Sequence, residues 1–147
     1  MSILVMKFGG TSVANLDRIQ RAAKRVAVEV AKGHDVIVIV SAMAGETNKL
    51  VGWVQETSPL YDAREYDAVT SSGENVTAGL MALRLQEMDI PARSWQGWQI
   101  PIMTSDAHGS ARIAAIEEYR SRLRSNAAPL LAVEALMVQL RPQAEGS

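Results

Sequence analysis

Cysteine is absent from this sequence of 147 residues, and its absence excludes several kinds of chemistry. A chain without cysteine can form no disulfide, offers no thiolate nucleophile and holds no metal through sulfur. Its two histidines, His34 and His108, are isolated and do not by themselves make a metal site. We therefore expect no metal ligands in the chain, and the lack of disulfides is compatible with a reducing cytoplasm.

Excess charge and long apolar runs are also lacking. The formal net charge is −1, so the composition gives no reason to expect nucleic acid or an anionic membrane as a partner. No apolar run reaches the length of a transmembrane helix, and Lys7 comes too early for the apolar core of a signal peptide. What is present, 48% apolar and 21% charged residues, is typical of a globular domain with one compact core. We expect a cytoplasmic protein.

Strand patterns recur along the first two thirds of the chain. Residues 3–8 read as a short buried strand, and the β-branched run at 36–40 is typical of a central parallel strand. Further short strands are predicted at 93–98 and 100–104. Because helical patterns separate the first strands, the sequence predicts an α/β fold with a largely parallel sheet.

Helices are predicted between these strands and in the last third of the chain. The first begins after Asn15, a capping residue, and stops at Gly33. The long helical region before residue 90 has Val76, Leu80 and Leu83 on one apolar face. The predicted helices span 16–32, a segment ending at 57, 61–89 with a break at 71–73, 114–125 and 129–140.

Two loops of small and polar residues follow the first two predicted strands, where ligands collect in parallel α/β sheets. In "KFGGTSVA", Gly9 and Gly10 would let backbone N–H groups approach a phosphate, and Lys7 supplies a point charge. This loop matches neither G-x-x-x-x-G-K-[ST] nor G-x-G-x-x-G, so a tight strand-to-helix turn is an equal alternative. In "SAMAGETNKL", Thr47 could donate to a carboxylate, but a helix start capped by Thr47 or Asn48 is the simpler interpretation.

A third candidate is the carboxylate in "SSGEN". Glu74 follows a serine and a glycine in a helical region, and such a group could hold a substrate ammonium. Taken alone, the residue is better explained as a solvated glutamate in the first turn of a helix, where the helix dipole favours it.

Three segments together resemble the amino-terminal part of aspartate kinases, in order and at suitable spacing: "KFGGTSV", "VIVIVSAMAGETNKL" and "SSGENVTAGLMALRLQEMDIPARSWQGWQIPIMTSDAHGSARI". The resemblance covers residues 3 to 113. It implies an amino-acid-kinase fold, which is a three-layer α/β/α sandwich with a mainly parallel sheet. It also implies transfer of the γ-phosphoryl group of MgATP, as co-substrate, to the side-chain carboxylate of L-aspartate. That reaction is the first step towards lysine, threonine and methionine.

The resemblance also implies roles for single residues. Lys7 corresponds to the lysine that stabilises the transferring phosphoryl group, and Glu74 to the glutamate that engages the substrate through its α-amino group. Gly9 and Gly10 correspond to the glycines beside the ATP phosphates, and Ser41 to a serine on the nucleotide side. The implied substrate loop, in which the threonine contacts aspartate, comprises Gly45, Glu46, Thr47, Asn48 and Lys49.

The sequence departs from this resemblance after residue 113. The family continues with a glycine-rich "GRGGSD" type loop and a "YTDVDG" type segment, and neither is present in this sequence. We therefore expect a truncated fold: 1–113 as the N-terminal part of an aspartokinase catalytic domain and 114–147 as a divergent helical segment. The apolar helix predicted near the C-terminus would cover exposed apolar surface or pair with another subunit.

These observations leave three functional interpretations. The first is an aspartate kinase-like protein that is weak or inactive alone, because the nucleotide-binding half is missing. The second is a non-catalytic fragment that acts as a binding or oligomerisation module. The third, another amino-acid kinase with a different acid substrate, is disfavoured by the intact "KFGGTSV". The expected partners are L-aspartate, ATP, and either a second copy of the chain or a complementing kinase chain.

Overall fold

A parallel sheet forms the centre of the protein. The computed structural model describes residues 2–99, 103–104, 108, 113–115 and 130–134. The strands are β1 (Ile3–Phe8), β2 (Asp35–Val40), β3 (Arg93–Trp95), β4 (Met103–Thr104), β5 (Ile113–Ala115) and β6 (Leu130–Glu134). The helices are α1 (Leu16–Ala31), α2 (Glu46–Thr57), α3 (Ala63–Thr70) and α4 (Ser72–Gln86).

Among the described residues, the main sheet contains four strands in the order β1-β2-β6-β3, and all neighbouring pairs are parallel. β4 and β5 pair separately as an antiparallel hairpin. In β1 and β2 the register runs from Ile3 opposite Asp35 to Phe8 opposite Val40, so the two strands end level with each other. The predicted α/β fold with a parallel sheet is confirmed, and the two candidate loops leave the sheet side by side.

Helices α1 and α4 pack against one face of the sheet and against each other. The buried side chains of β1 and β2 on this face are Phe8, Val36, Val38 and Val40. The alternate residues of β1 point to the other face, where Ile3 and Val5 are 66% and 55% exposed. The alternation follows from the two-residue period of a strand.

Local sequence signals set the ends of α1. The Asn15 side chain accepts a hydrogen bond from the backbone N–H of Arg18, which satisfies one of the free donors at the helix start. At the other end Gly33 adopts a φ of 86°, a left-handed conformation that ends the helix and that glycine accepts without strain. Both predicted ends of this helix are confirmed.

The apolar face predicted for the region 61–89 is wrong for two of its three residues: Leu80 is half-buried against the core, and the other two are exposed. That region is divided into α3 and α4 near Ser71, as the "SSG" break predicts, but Val76 and Leu83 of α4 are exposed. The buried face of α4 comprises Gly73, Glu74, Thr77, Ala78, Met81, Ala82 and Leu85. Small residues on this face let α4 pack closely against the sheet and α1. The packing gained in this way outweighs the cost of leaving a leucine and a valine exposed to solvent.

Two leucines of α4 provide a direct test of this packing. We expect Leu85→Ala, which truncates a side chain with no exposed surface, to lower the free energy of unfolding by about 2–5 kcal/mol. Leu83→Ala makes the same change at a side chain that is 62% exposed, and we expect an effect within about 0.5 kcal/mol. Denaturant unfolding of the two variants measures the difference. Equal effects would contradict the observed orientation of α4.

The helices predicted in the last third are wrong wherever the structure describes that region. Residues 130–134, assigned to a helix at 129–140, form β6 between β2 and β3. Residues 114–115, the start of the helix predicted at 114–125, belong to β5. The run "LLAVE" has good helix formers, but pairing with two parallel strands satisfies its backbone and overrides that propensity. The rest of both predicted helices lies outside the described residues.

The strands predicted at 93–98 and 100–104 are shorter in the structure. β3 ends at Trp95 and a 3₁₀ turn follows over Gly97–Gln99, so the prediction is wrong for residues 96–98. β4 confirms residues 103–104, and 100–102 lie outside the described residues. No helix in the described part of the chain has the length and apolar character needed to span a membrane.

Candidate functional site

The loops after β1 and β2 meet at the carboxyl ends of these strands. The backbone N–H of Ser41 donates to the carbonyl oxygen of Phe8 at 3.1 Å, which joins the two loop starts. The β1 loop then forms a 3₁₀ turn over Gly10–Val13, in which the N–H of Ser12 donates to the carbonyl of Gly9 at 2.8 Å. The polar loops identified in the sequence therefore form one continuous corner of the protein.

Gly10 is required for the close approach of these loops. A β-carbon at this position would lie 2.9 Å from the carbonyl oxygen of Ala42, closer than real β-carbons come to another atom. A β-carbon at Gly9 would meet nothing within 4 Å, so the backbone there is open to a ligand. The two glycines therefore have different roles. Gly10 lets the first loop pack closely against the second, and Gly9 leaves space beside the start of the 3₁₀ turn.

Lys7 supplies a positive charge next to this corner. Its side chain is exposed on β1, on the sheet face opposite α1 and α4, and has no ion-pair partner among the residues the structure describes. The first N–H groups of the following 3₁₀ turn also have no acceptors within that turn. Within the described part of the chain, an open backbone, N–H donors with no acceptor in the turn and a lysine with no ion-pair partner together fit an anionic group such as a phosphate.

Glu74 is buried rather than solvated. Its residue is 6% exposed, and its Oε1 accepts a hydrogen bond from the backbone N–H of Ala42 at 3.2 Å. The second oxygen accepts no hydrogen bond from the described residues, and it is not among their fully enclosed polar atoms. The interpretation of Glu74 as a solvated first-turn residue is therefore wrong. One carboxylate oxygen holds the β2 loop, and the other is available to a ligand.

Two residues of this corner were missed in the sequence. Gly73 brings α4 against the β2 loop, because a β-carbon there would lie 2.9 Å from the Ala42 side chain and 3.4 Å from Leu50. Ala42 itself contacts the β1 turn, α4 and the Glu74 carboxylate. The sequence around Ala42 gives no chemical signal, but a glycine in a helical pattern is a sign of close packing, and Gly73 could have been interpreted in that way.

The proposed substrate loop leads directly into α2. Gly45, with a φ of 86°, is the residue before the helix, so a start capped by Thr47 or Asn48 is wrong. Lys49 donates to Glu46 at 3.4 Å and lies over the ring of Trp53, so these charged groups pair with each other along the helix. Thr47 is half-buried and Asn48 is exposed. Among the described residues, none of 45–49 forms a hydrogen bond or ion pair with Glu74 or Lys7.

The two histidines lie away from this corner. The Nδ1 of His34 forms a hydrogen bond with Ser2 at the start of β1, and His108 pairs with Asp67 of α3 at 3.5 Å. Within the described ranges, no group of three or more histidine, aspartate or glutamate side chains could hold a metal ion.

Comparisons with known proteins agree with this arrangement. The family model of the amino acid kinase family matches residues 2–133. An aspartokinase of Rickettsia felis is 48% identical over 140 residues, an alignment that covers 90% of this chain and 34% of that protein. The chain thus spans about a third of the length of this curated relative. The match of the family model continues past residue 113, while the division of the chain at that residue stays a prediction.

Solved structures show the same fold. An aspartate kinase from Synechocystis has a TM-score of 0.70 at 36% identity, over 90% of this chain and 21% of that one. E. coli aspartokinase III, in complex with aspartate and ADP, has a TM-score of 0.75 at 24% identity, over 90% of this chain and 40% of that one. The resemblance to aspartate kinases and the expected amino-acid-kinase fold are confirmed. Because the family model matches 2–133 of the 147 residues, the chain belongs to the amino acid kinase family.

Proposed function

We propose that this chain takes part in phosphoryl transfer from MgATP to the side-chain carboxylate of L-aspartate. The observation that carries the proposal is the meeting of two features at Ala42: the glycine turn after β1 and the buried carboxylate of α4. The first feature suits a phosphate and the second suits an ammonium group. Similarity to aspartokinases supports this pairing of ligands.

The reaction needs little from the protein beyond position and charge. A side-chain oxygen of aspartate attacks the γ-phosphorus, the bond to the bridging oxygen breaks, and ADP leaves with that oxygen's electron pair. The carboxylate is already an anion, so no general base is required. Lys7 and the N–H groups at Gly9 and Gly10 would neutralise charge on the phosphoryl oxygens, and the Mg²⁺ that accompanies ATP would add to this neutralisation.

Glu74 and the residues after Gly45 would hold the acceptor. The free oxygen of Glu74 would bind the α-ammonium group of aspartate, because a buried carboxylate next to a cation forms a strong charge-assisted hydrogen bond. Thr47, at the half-buried start of α2, would donate to a carboxylate of the substrate. Ser41 would lie on the nucleotide side.

Hydroxylamine trapping tests the proposal. The chain is incubated with MgATP and an amino acid, and any acyl phosphate is converted to a coloured hydroxamate. We expect hydroxamate from L-aspartate and none from L-glutamate, which has one more methylene, or from reactions without ATP. If hydroxamate formed from L-glutamate and not from L-aspartate, the result would favour an amino-acid kinase with a different acid substrate.

The alternative, a non-catalytic binding or oligomerisation module, is supported by the exposed apolar side chains of β1. Ile3 and Val5 lie on the face of the sheet that α1 and α4 leave uncovered. A chain that forms no hydroxamate and binds neither ATP nor L-aspartate, yet assembles into a defined oligomer in light scattering, would support this module in place of the kinase.

A further inference from the structure

Ala42 contacts all three segments that form the candidate site. Its backbone N–H donates to the Oε1 of Glu74 at 3.2 Å, its carbonyl oxygen faces Gly10, and its side chain faces Gly73. The residue is only 4% exposed, so these neighbours enclose it.

Glycine at positions 10 and 73 allows both segments to approach Ala42 this closely. A β-carbon at Gly10 would lie 2.9 Å from the carbonyl oxygen, and one at Gly73 would lie 2.9 Å from the Ala42 β-carbon. At such distances one of the two groups has to shift, because protein interiors are closely packed. Because Ala42 is buried between these segments, we expect a shift of α4 at Gly73 to displace Ala42 towards Gly10, and a shift of the β1 turn to act in the reverse direction.

We propose that Ala42 is a positioning residue that couples ligand binding on the two sides of the site. The proposal rests on the proposed function, since it takes a nucleoside triphosphate at Gly9 and Gly10 and an amino acid at Glu74 as the ligands. An ammonium group bound to the free oxygen of Glu74 orients the carboxylate, which holds the N–H of Ala42. The carbonyl of the same residue then fixes the turn at Gly10. Each ligand thus stabilises the arrangement that the other requires.

Calorimetric titration of the 147-residue chain measures this coupling. Binding of Mg²⁺ with AMP-PNP, a non-hydrolysable ATP analogue, is measured with and without saturating L-aspartate. We expect L-aspartate to tighten AMP-PNP binding about 5-fold or more, and the nucleotide to tighten L-aspartate binding by the same factor. Gly73→Ala, which displaces Ala42, is expected to bring this factor close to one.

Gly79→Ala is the matched control. It makes the same substitution in the same helix, but its β-carbon would meet nothing within 4 Å. We expect it to keep the wild-type factor. Circular dichroism would reveal whether Gly73→Ala folds. If it does not, Gly10→Ala provides a second test, because its β-carbon would displace Ala42 from the side of the β1 turn.

The outcomes separate the coupling from the proposed function. The coupling through Ala42 is overturned if the wild-type chain binds both ligands but neither ligand changes the affinity for the other. It is also overturned if Gly73→Ala and Gly10→Ala retain the wild-type coupling factor. In both cases the proposed function stands. If the wild-type chain binds neither ligand, the proposed function is overturned and the coupling is overturned with it. If Ala42 had only a general structural role, the substitutions would weaken the binding of both ligands. The factor by which each ligand tightens binding of the other would stay unchanged.

Discussion

Replacing Lys7 by alanine is expected to lower the rate of hydroxamate formation by about 10²–10³-fold, the usual loss when a group that stabilises the transition-state charge is removed. The transferred phosphoryl group carries its negative charge on three oxygens. Lys7, which has no ion-pair partner among the residues that the structure describes, is a cation beside the glycine turn that would receive it. Because the charge develops during transfer, the loss is expected in kcat more than in the KM for L-aspartate.

The same substitution is expected to leave the fold almost unchanged. Lys7 is exposed and makes no ion pair within the described residues, so its removal should change the free energy of unfolding by less than about 0.5 kcal/mol. Lys24→Ala, at an exposed lysine of α1, is the control for charge and should retain wild-type activity. Equal activity of Lys7→Ala and Lys24→Ala would show that Lys7 has no role in the reaction.

Substitutions of Glu74 are expected to separate a structural contribution from a binding contribution. Glu74→Ala leaves the N–H of Ala42 without its acceptor, and an unsatisfied buried donor costs about 1–3 kcal/mol of stability. Glu74→Gln keeps an oxygen for that N–H but removes the charge. Its stability should stay near wild type, while the KM for L-aspartate should rise about 10- to 100-fold, the usual value of a hydrogen bond between charged groups.

Denaturant unfolding and substrate titration of both variants check these expectations. Glu56→Gln, at an exposed residue of α2, is the matched control and should change neither quantity. If Glu74→Gln binds L-aspartate as tightly as the wild-type chain, Glu74 serves only to hold the β2 loop. The acceptor would then have to bind elsewhere.

Much of the first half of the fold could be predicted because its signals are local. The strands β1 and β2 are short apolar runs bounded by turn residues, and α1 has a capping asparagine and a terminating glycine at its two ends. Such signals act within a few residues, so no knowledge of distant contacts is needed to read them.

The elements that were predicted wrongly depend on contacts between distant segments. Leu130–Glu134 is composed mostly of good helix formers, and it is a strand because β2 and β3 lie on either side of it. In α4 the exposed Val76 and Leu83 gave a regular apolar spacing, whereas the true buried face contains Gly73 and Glu74. Periodicity counts apolar residues and gives no weight to a small residue that lets two backbones approach.

In the candidate site, too, some features follow from the local sequence and others from contacts between distant segments. The motif around Lys7, Gly9 and Gly10 is recognisable in the sequence because the chemistry of phosphate binding restricts residue types. The buried state of Glu74 and the part played by Ala42 follow from α4 packing on the β2 loop, and no local pattern contains that information.

The central claim is that Lys7 stabilises the transferred phosphoryl group and Glu74 binds L-aspartate in one site. Hydroxylamine trapping with wild type, Lys7→Ala and Glu74→Gln side by side tests it most directly. MgATP is held at saturation and L-aspartate is varied. We predict that Lys7→Ala lowers kcat with little change in KM, and that Glu74→Gln raises the KM for L-aspartate with a smaller change in kcat. Wild-type kinetics in both variants, from a chain that forms hydroxamate, would contradict the assignment of the reaction to this site.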